Sequence, residues 1–288
     1  MRRWLLAARP KTLSAAVVPV MIGSALAAQE PPGVSWPHFF CALLGAVMIQ
    51  VATNLINDAL DFKKGADTGE RLGPIRVTQA GLISAETVMR GAWFSLFIAA
   101  AAGIPLIYRG GWPILIIGLG SIAAAYLYTG GPFPLAYHGL GEVFVLVFFG
   151  FVAVGGTFYV HSLQYTRAAC LGGFAAGSLA IVLLVINNLR DVDGDRRSNK
   201  RTLAVRFGEG FARAEIVTFT LAPFAAVALI AWMQSRPWLL LTLVALPLAA
   251  LLLARVRRSR GAELNRCLAL AGALQWLFGV LFVAGTIV

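Results

Sequence analysis

The chain has 288 residues, 59% of them apolar and only 13% charged, with 24 Lys and Arg against 13 Asp and Glu for a net charge of +11. Apolar runs recur along its whole length, which excludes a water-soluble globule and identifies an all-α polytopic membrane protein, because a segment that crosses a bilayer must satisfy its own backbone hydrogen bonds. A surplus of positive charge would suggest nucleic acid in a soluble chain, but here the positions of the basic residues give it another meaning.

In chain order, nine helical spans are expected, over 13–29, 37–59, 88–107, 112–129, 139–160, 168–188, 212–233, 237–254 and 267–287. They form one domain over residues 1–288, around a central cavity opening to the cytoplasm. The first 28 residues have the basic start and Ala-Leu-Ala-Ala ending of a secretory signal. Arg9-Pro10-Lys11 interrupts that apolar run and eight more spans follow, so a retained first helix is expected. With the N-terminus inside, only Arg109, Arg167 and Arg236 fall outside, leaving 21 of the 24 basic residues inside. This positive-inside asymmetry predicts a multi-pass protein of the cell inner (cytoplasmic) membrane, with a cytoplasmic N-terminus and the C-terminus on the opposite side. Cys41, Cys170 and Cys267 lie in or beside spans without paired metal spacing and read as small packing residues.

The longest polar connections, roughly 60–87 and 189–211, each follow a span that ends in asparagine and aspartate. The first stretch is Asn54-Leu-Ile-Asn57-Asp58-Ala-Leu-Asp61, running on to Asp67; the second is Asn187-Asn188-Leu-Arg190-Asp191, running on to Asp195. Gln50, Asn54, Asn57 or Asp58, and Asp61 follow a three-to-four-residue period and share one helix face. Asn187, Asp191 and Asp195 form a second stripe if their helix continues far enough. Neither stripe can point at lipid, so the two are expected to face one another across a hydrated cavity. Carboxylates at this spacing suit a hard divalent cation, magnesium in particular, which bridges one or two carboxylates to phosphate oxygens while keeping waters. Asparagines can orient the carboxylates or add oxygen ligands. Lys63, Lys64, Arg71, Arg76, Arg190, Lys200 and Arg201 suit the anionic oxygens a metal does not reach, and the expected ligand is a diphosphate.

Asn-x-x-x-Asp recurs at an offset of 133 residues, Asn54 to Asp58 and Asn187 to Asp191, which hints at a parallel pseudo-repeat. Glu70, Glu86, Arg90, Asp193, Arg196 and Arg197 read equally well as solvated loop charges. His38 and His161, at the opposite end, read as incidental, and His138, among Pro134, Gly139 and Gly141, as part of a tight connection.

Four blocks resemble the UbiA superfamily of intramembrane aromatic prenyltransferases. They are Arg9-Pro-Lys-Thr12; Asn54 to Asp67 continuing through Gly73-Pro-Ile-Arg76-Val-Thr-Gln-Ala-Gly81; Tyr128-Thr-Gly-Gly-Pro-Phe-Pro134 with Tyr137-His138-Gly-Leu-Gly-Glu142; and Asn187-Asn188-Leu-Arg190-Asp191 continuing through Lys200-Arg-Thr-Leu-Ala-Val-Arg206-Phe-Gly208. The blocks run in family order and span most of the chain. Many members carry the third aspartate of the first motif at the position of Gly65, whereas the next aspartate here is Asp67. That spacing, with Asn-Asn-x-Arg-Asp in the second motif, is most similar to the 1,4-dihydroxy-2-naphthoate polyprenyltransferase (MenA-type) branch.

The resemblance implies magnesium-dependent transfer of a polyprenyl group from its diphosphate to 1,4-dihydroxy-2-naphthoate, with loss of diphosphate and CO2. The product would be a demethylmenaquinone, in menaquinone biosynthesis. It implies Asp58, Asp61, Asp67, Asp191 and Asp195 as metal ligands, and Arg190 and Lys200 beside Asp58, Asp61, Asp191 and Asp195 in catalysis. Asn54, Asn57, Lys63, Arg71, Arg76, Asn187, Asn188 and Arg201 would bind substrate. Tyr126, Tyr128 and Tyr137 would meet the allylic cation with their ring faces. Other acceptors, such as 4-hydroxybenzoate or homogentisate, stay open. From other classes, an ion-coupled transporter usually places its site at the bilayer midplane on broken helices, and an alcohol phosphotransferase generally uses one compact aspartate motif.

Overall fold

A computed structural model describes residues 2–65, 72–73 and 75–288; Asp67, Glu70 and Arg71 lie outside the described residues. Helices account for the fold, and no strand occurs among the described residues. In chain order they are α1 (Arg2–Ala8), α2 (Ser14–Ala27), α3 (Trp36–Lys63), α4 (Ala85–Gly110), α5 (Trp112–Leu127), α6 (Gly141–Ser162), α7 (Arg167–Arg190), α8 (Val192–Arg197), α9 (Leu203–Met233), α10 (Pro237–Arg258) and α11 (Gly261–Ile287).

The helix starts follow local chemistry. Proline stands in the first turn of α3, α5 and α10, where its missing N–H costs nothing. The Ser84, Thr166 and Thr202 side chains accept from Thr87, Ala169 and Val205 amides to cap α4, α7 and α9.

Seven of these helices are long and apolar enough to cross a membrane, and the chain is a multi-pass membrane protein. The segments Arg2–Thr12 and Ser14–Ala27, bent by 52°, make an eighth if counted as one span. The bend follows from Arg9, held at φ 51°, and the proline after it. The ninth expected span is α5, whose 16 residues rise about 24 Å, short of a hydrocarbon core of about 30 Å. The expected count of nine is therefore not reached by length and hydropathy alone. The expected seventh span also starts earlier: α9 runs from Leu203, with a kink at Gly208 (φ 86°).

The helices close into a ring. α3 packs on α4, α4 on α5, α6 on α7, α7 on α9, α9 and α11 on α10, and α11 returns to α2, which also lies against α6 and α7. Two separate apolar clusters result. A smaller one joins α1, α3 and α4 through Ala7, Leu55, Ile56, Val88 and Leu96; a larger one joins α2, α6, α7, α9, α10 and α11 through residues such as Ile22, Phe158, Ile186, Ile216 and Phe278. Exposed Trp36, Trp93, Phe97, Trp112 and Trp232 sit on the outer surface, as suits a body whose solvent is lipid.

α6 and α7 meet through glycine. A Cβ on Gly150 would lie 2.5 Å from the Gly173 carbonyl oxygen and 3.1 Å from Gly177 Cα, so backbone fills the space of a side chain. Part of α6 there widens into a π-helix over Leu146–Val152. Gly150→Val is expected to destabilise the protein by about 2 kcal/mol through overpacking, read as a lower Tm in detergent, whereas Gly118→Ala, which meets open space, leaves it unchanged.

Candidate active site

The two polar stripes do converge. α3 ends at Lys63, with Asp58 and Asp61 buried in its last turns. α7 ends at Arg190, and Asp191 is its cap. The chain then continues almost helically into α8, since the Asp195 amide donates to the Asp191 carbonyl at 2.8 Å, so Asp191 and Asp195 stay stacked one turn apart. The connection between α5 and α6 lies between the two motifs. The Arg201 amide donates to the Tyr137 carbonyl at 3.0 Å, and Arg206 donates from Nη2 to the His138 carbonyl at 2.9 Å and from Nε to the Arg201 carbonyl at 3.1 Å. Gly139 is required there: its φ is 69°, and a Cβ would stand 2.9 Å from the Arg201 oxygen.

That lacing places Tyr137 at the centre. Its hydroxyl donates to Asp61 Oδ1 at 3.0 Å, while Lys64 Nζ sits 4.6 Å and Lys200 Nζ 6.0 Å from its ring centroid. One tyrosine thus touches the first motif and the lysine of the second. Asp61 Oδ2 also accepts from Arg76 at 3.0 Å, and both residues are buried. Arg190 grips Asp191 with two bonds, 2.8 and 2.6 Å, and donates from Nη1 to Asn265 Oδ1 at 2.8 Å. Asp195 pairs with Lys200 at 3.5 Å, yet its Oδ2 is buried with no hydrogen-bond partner. Burial pushes the Asp195 carboxyl above its usual range, and Asp191 and Asp61 push the same way against Lys200.

Asp58 is held by the backbone of the 76–81 turn. It is 1% exposed. Oδ2 accepts from the Val77 amide at 3.1 Å, Oδ1 accepts from the Thr78 amide at 3.1 Å and from the Thr78 hydroxyl, and Arg9 approaches to 4.0 Å. These bonds fold the 76–81 turn onto α3, so Asp58 also anchors that turn.

Several other expected residues make hydrogen bonds or ring contacts within the fold. Asn54 donates to the Ala8 carbonyl and Thr12 hydroxyl at 2.9 and 3.0 Å, tying down the segment before α2. Asn57 accepts from the Thr129 hydroxyl, and Asn187 donates back to the Leu183 carbonyl at 3.0 Å. Tyr126 is not brought to the site, because its ring stacks on the exposed Trp93. Lys63 and Arg201 have exposed side chains; Arg201 contributes through its backbone. Tyr128 packs on Phe144 with centroids 5.1 Å apart, beside the site. His138 is stacked on Phe133 and bonded to the Pro134 carbonyl. His161, expected to be incidental, is a buried link at the far end, bonded to the Ser24 hydroxyl and the Ser35 amide.

Three contributors escaped the sequence reading. Thr78 lay within a family block without a role of its own, and Asn265 carried no signal. Glu142 did, as a carboxyl at the start of an apolar span; it is 6% exposed and accepts from Asn188 Nδ2 at 3.2 Å.

Beyond Gln50, the stripe of α3 turns into the wall of an apolar cavity of about 190 Å³ between α2, α3, α4, α5 and α6, lined by Gly45, Gly103, Gly118, Phe144 and Phe148 among others. A polar cluster and a greasy cavity thus adjoin through Tyr128, Phe144 and Phe148, an arrangement for one amphiphilic ligand. For a cation, the donors are all oxygens, and the orphaned Asp195 Oδ2 is the kind of atom a metal would satisfy. Among the described residues no three carboxylate, histidine or cysteine side chains close around one point. Magnesium takes one or two carboxylates and completes its shell with water and phosphate oxygens.

Asp58→Asn replaces an acceptor facing two backbone amides with a group that accepts at one atom only. It is expected to cost about 2 kcal/mol, seen as a lower Tm and as faster proteolysis near residue 77.

Comparison with known proteins agrees with this geometry. The UbiA prenyltransferase family matches residues 16–279. The chain is 39% identical to the 1,4-dihydroxy-2-naphthoate octaprenyltransferase of Mycobacterium tuberculosis, over 90% of this chain and 87% of that one. It is 34% identical to the protein of the same name from Haemophilus influenzae, over 100% and 96%. Among solved structures, a UbiA homolog from Archaeoglobus fulgidus bound to DMAPP and Mg2+ superposes with a TM-score of 0.68 at 17% identity, covering 99% of both chains. The apo UbiA homolog from Aeropyrum pernix K1 gives 0.73 at 15%, covering 95% and 97%. These two establish the fold.

Proposed function

The chain belongs to the UbiA prenyltransferase family, and on that premise we propose that it transfers a polyprenyl group from polyprenyl diphosphate to 1,4-dihydroxy-2-naphthoate, releasing diphosphate and CO2. The observation that carries this reading is the meeting of the two aspartate motifs around Tyr137, next to an apolar cavity. The choice of acceptor is supported by the relatives bearing that activity in their names, at 34% to 39% identity. Dependence on magnesium is supported by the archaeal homolog bound to DMAPP and Mg2+.

Asp58, Asp61, Asp191 and Asp195 would hold magnesium, with Asp67 a further candidate. When bound, the metal supplies Lewis-acid contact to the diphosphate oxygens. As the bond between the allylic carbon and oxygen breaks, negative charge grows on the leaving diphosphate; Lys64, Lys200 and Arg190 meet that charge, and Arg76 keeps Asp61 oriented. The ring faces of Tyr137 and Tyr128 stabilise the allylic cation and exclude water from it. The apolar cavity takes the polyprenyl tail, whose transfer to water would be costly. Asn187 and Asn188 act at the end of α7, where the second motif starts.

The 21-to-3 distribution of basic residues, with α5 counted as a crossing, supports an inner-membrane protein whose site and N-terminal end face the cytoplasm, with the C-terminal end opposite. The recurrence of Asn-x-x-x-Asp on α3 and α7 supports reading residues 1–288 as one prenyltransferase domain built on a parallel repeat.

The test is turnover of purified protein in detergent with magnesium, a polyprenyl diphosphate and either 1,4-dihydroxy-2-naphthoate or 4-hydroxybenzoate, following prenylated product and CO2 by mass spectrometry. Prenylated naphthoate with CO2 release is expected, abolished by a chelator and restored by magnesium. Product from hydroxybenzoate alone overturns the acceptor. Asp61→Asn and Asp191→Asn are each expected to lower kcat at least about a hundredfold, and to lower Tm as well, because each aspartate is paired with a buried arginine.

A further inference from the structure

Glu142 is a carboxyl at the start of a membrane-spanning helix, 6% exposed, to which the mechanism above gives no part. A group so costly to bury calls for a partner and a use. Its surroundings are those of the site. Asn188, one of the paired asparagines of the second motif, donates to Glu142 Oε1 at 3.2 Å. Lys200, the partner of Asp195, also attracts it. Next to it along the chain, a Cβ on Gly141 would stand 3.4 Å from the Tyr128 hydroxyl. Tyr128 lies within the electrostatic reach of Glu142, Asp61 and Asp195 together, and it packs on Phe144, which lines the apolar cavity. Glu142 therefore stands at the junction between the carboxylate cluster and the greasy cavity, where a bond formed at the head of the tail would be made.

The polar inventory there is unbalanced. Lys200, Arg190 and the Tyr137 hydroxyl face Asp195, Asp191 and Asp61, Arg76 also meets Asp61, and Lys64 donates to the Thr129 carbonyl. Glu142 has the amide of Asn188, and Glu215, reaching towards it from α9, carries a buried Oε2 without a hydrogen-bond partner. Acceptors thus outnumber donors at the aromatic side of the site, and a ligand with hydroxyl groups would restore the balance.

We propose that Glu142 receives the aromatic acceptor, its carboxylate accepting the hydrogen bond of a ring hydroxyl while Asn188 holds it in place. The inference rests on the prenyl-transfer reading. The hydrogen bond to a carboxylate raises electron density in the ring and sets the carbon to be prenylated against the head of the tail. In the transfer itself, the allylic carbon to oxygen bond breaks with its electron pair leaving on diphosphate, and a carbon to carbon bond forms at the ring carbon that bears the carboxylate. CO2 then departs, and its bonding pair restores the aromatic ring. No ring proton is lost, so Glu142 holds the hydroxyl hydrogen bond throughout without keeping the proton.

The experiment measures, by calorimetry in detergent with magnesium and inorganic diphosphate, the Kd of 1,4-dihydroxy-2-naphthoate and of 2-naphthoate for wild type and Glu142→Gln. Glutamine keeps an oxygen for Asn188 and removes the charge. Wild type is expected to prefer the dihydroxy ligand at least tenfold, and Glu142→Gln to lose most of that preference while binding polyprenyl diphosphate as wild type does. Glu142→Asp, which retains a carboxylate one methylene shorter, serves in the same comparison if the glutamine variant does not fold, with an intermediate preference expected. Equal preference in wild type and variant, or no hydroxyl preference in wild type, overturns the inference. Hydroxyl-dependent binding without any turnover in wild type overturns the proposed reaction and leaves the role of Glu142 in binding standing.

Discussion

A carboxylate set beside hydrocarbon is tolerated only when a group of opposite polarity reaches it, and that requirement organises the polar end of this bundle. Asp58 is met by two backbone amides and a hydroxyl, Asp61 by Arg76 and Tyr137, Asp191 by Arg190, and Asp195 by Lys200. The partners come from segments far apart in the chain. Satisfying four aspartates therefore draws the 76–81 turn, the connection around Tyr137 and the stretch after α8 onto the ends of α3 and α7. Lipid dictates the spans, and charge pairing dictates how the connections between them fold.

The same requirement leaves the carboxylates unequally paired. Asp58 and Asp195 are both aspartates, 1% and 8% exposed. At Asp58 both oxygens accept backbone hydrogen bonds, so the residue acts as part of the fold. At Asp195 one oxygen has no partner and other carboxylates crowd it, so the residue is left with affinity for a cation. The orphaned oxygen of Asp195 is the atom most readily given to a cation, whereas the paired aspartates would exchange a donor for it.

Two apolar clusters, rather than one, leave a seam between the α3–α4 side and the α7–α9–α11 side. The small residues along α3, α4 and α5 keep that seam open as a cavity, while the glycines of α6 and α7 close the other side tightly. A ligand with a long apolar tail and an anionic head fits this gradient of polarity in one orientation only. Tyr137, fixed by the lacing of its carbonyl to Arg201, sits near the head.

The sequence by itself determined that the chain is helical and spans a membrane, and where most of its spans lie, because burial in lipid demands long apolar runs that periodicity and length reveal. It also marked both aspartate motifs, since charges at the ends of such runs are rare and expensive. The chain alone did not show that Asp58 serves the 76–81 turn, that Asn54 ties down the segment before α2, that Tyr126 faces Trp93 instead of the site, or that Glu142 and Asn188 form a pair. The length of α5, 16 residues, was likewise set by the structure. Only the tertiary structure decided these points, for one physical reason. A side chain's period along its own helix says which face it shares, whereas its role depends on which donors and acceptors other segments, 19 to 76 residues away, bring within 3.2 Å.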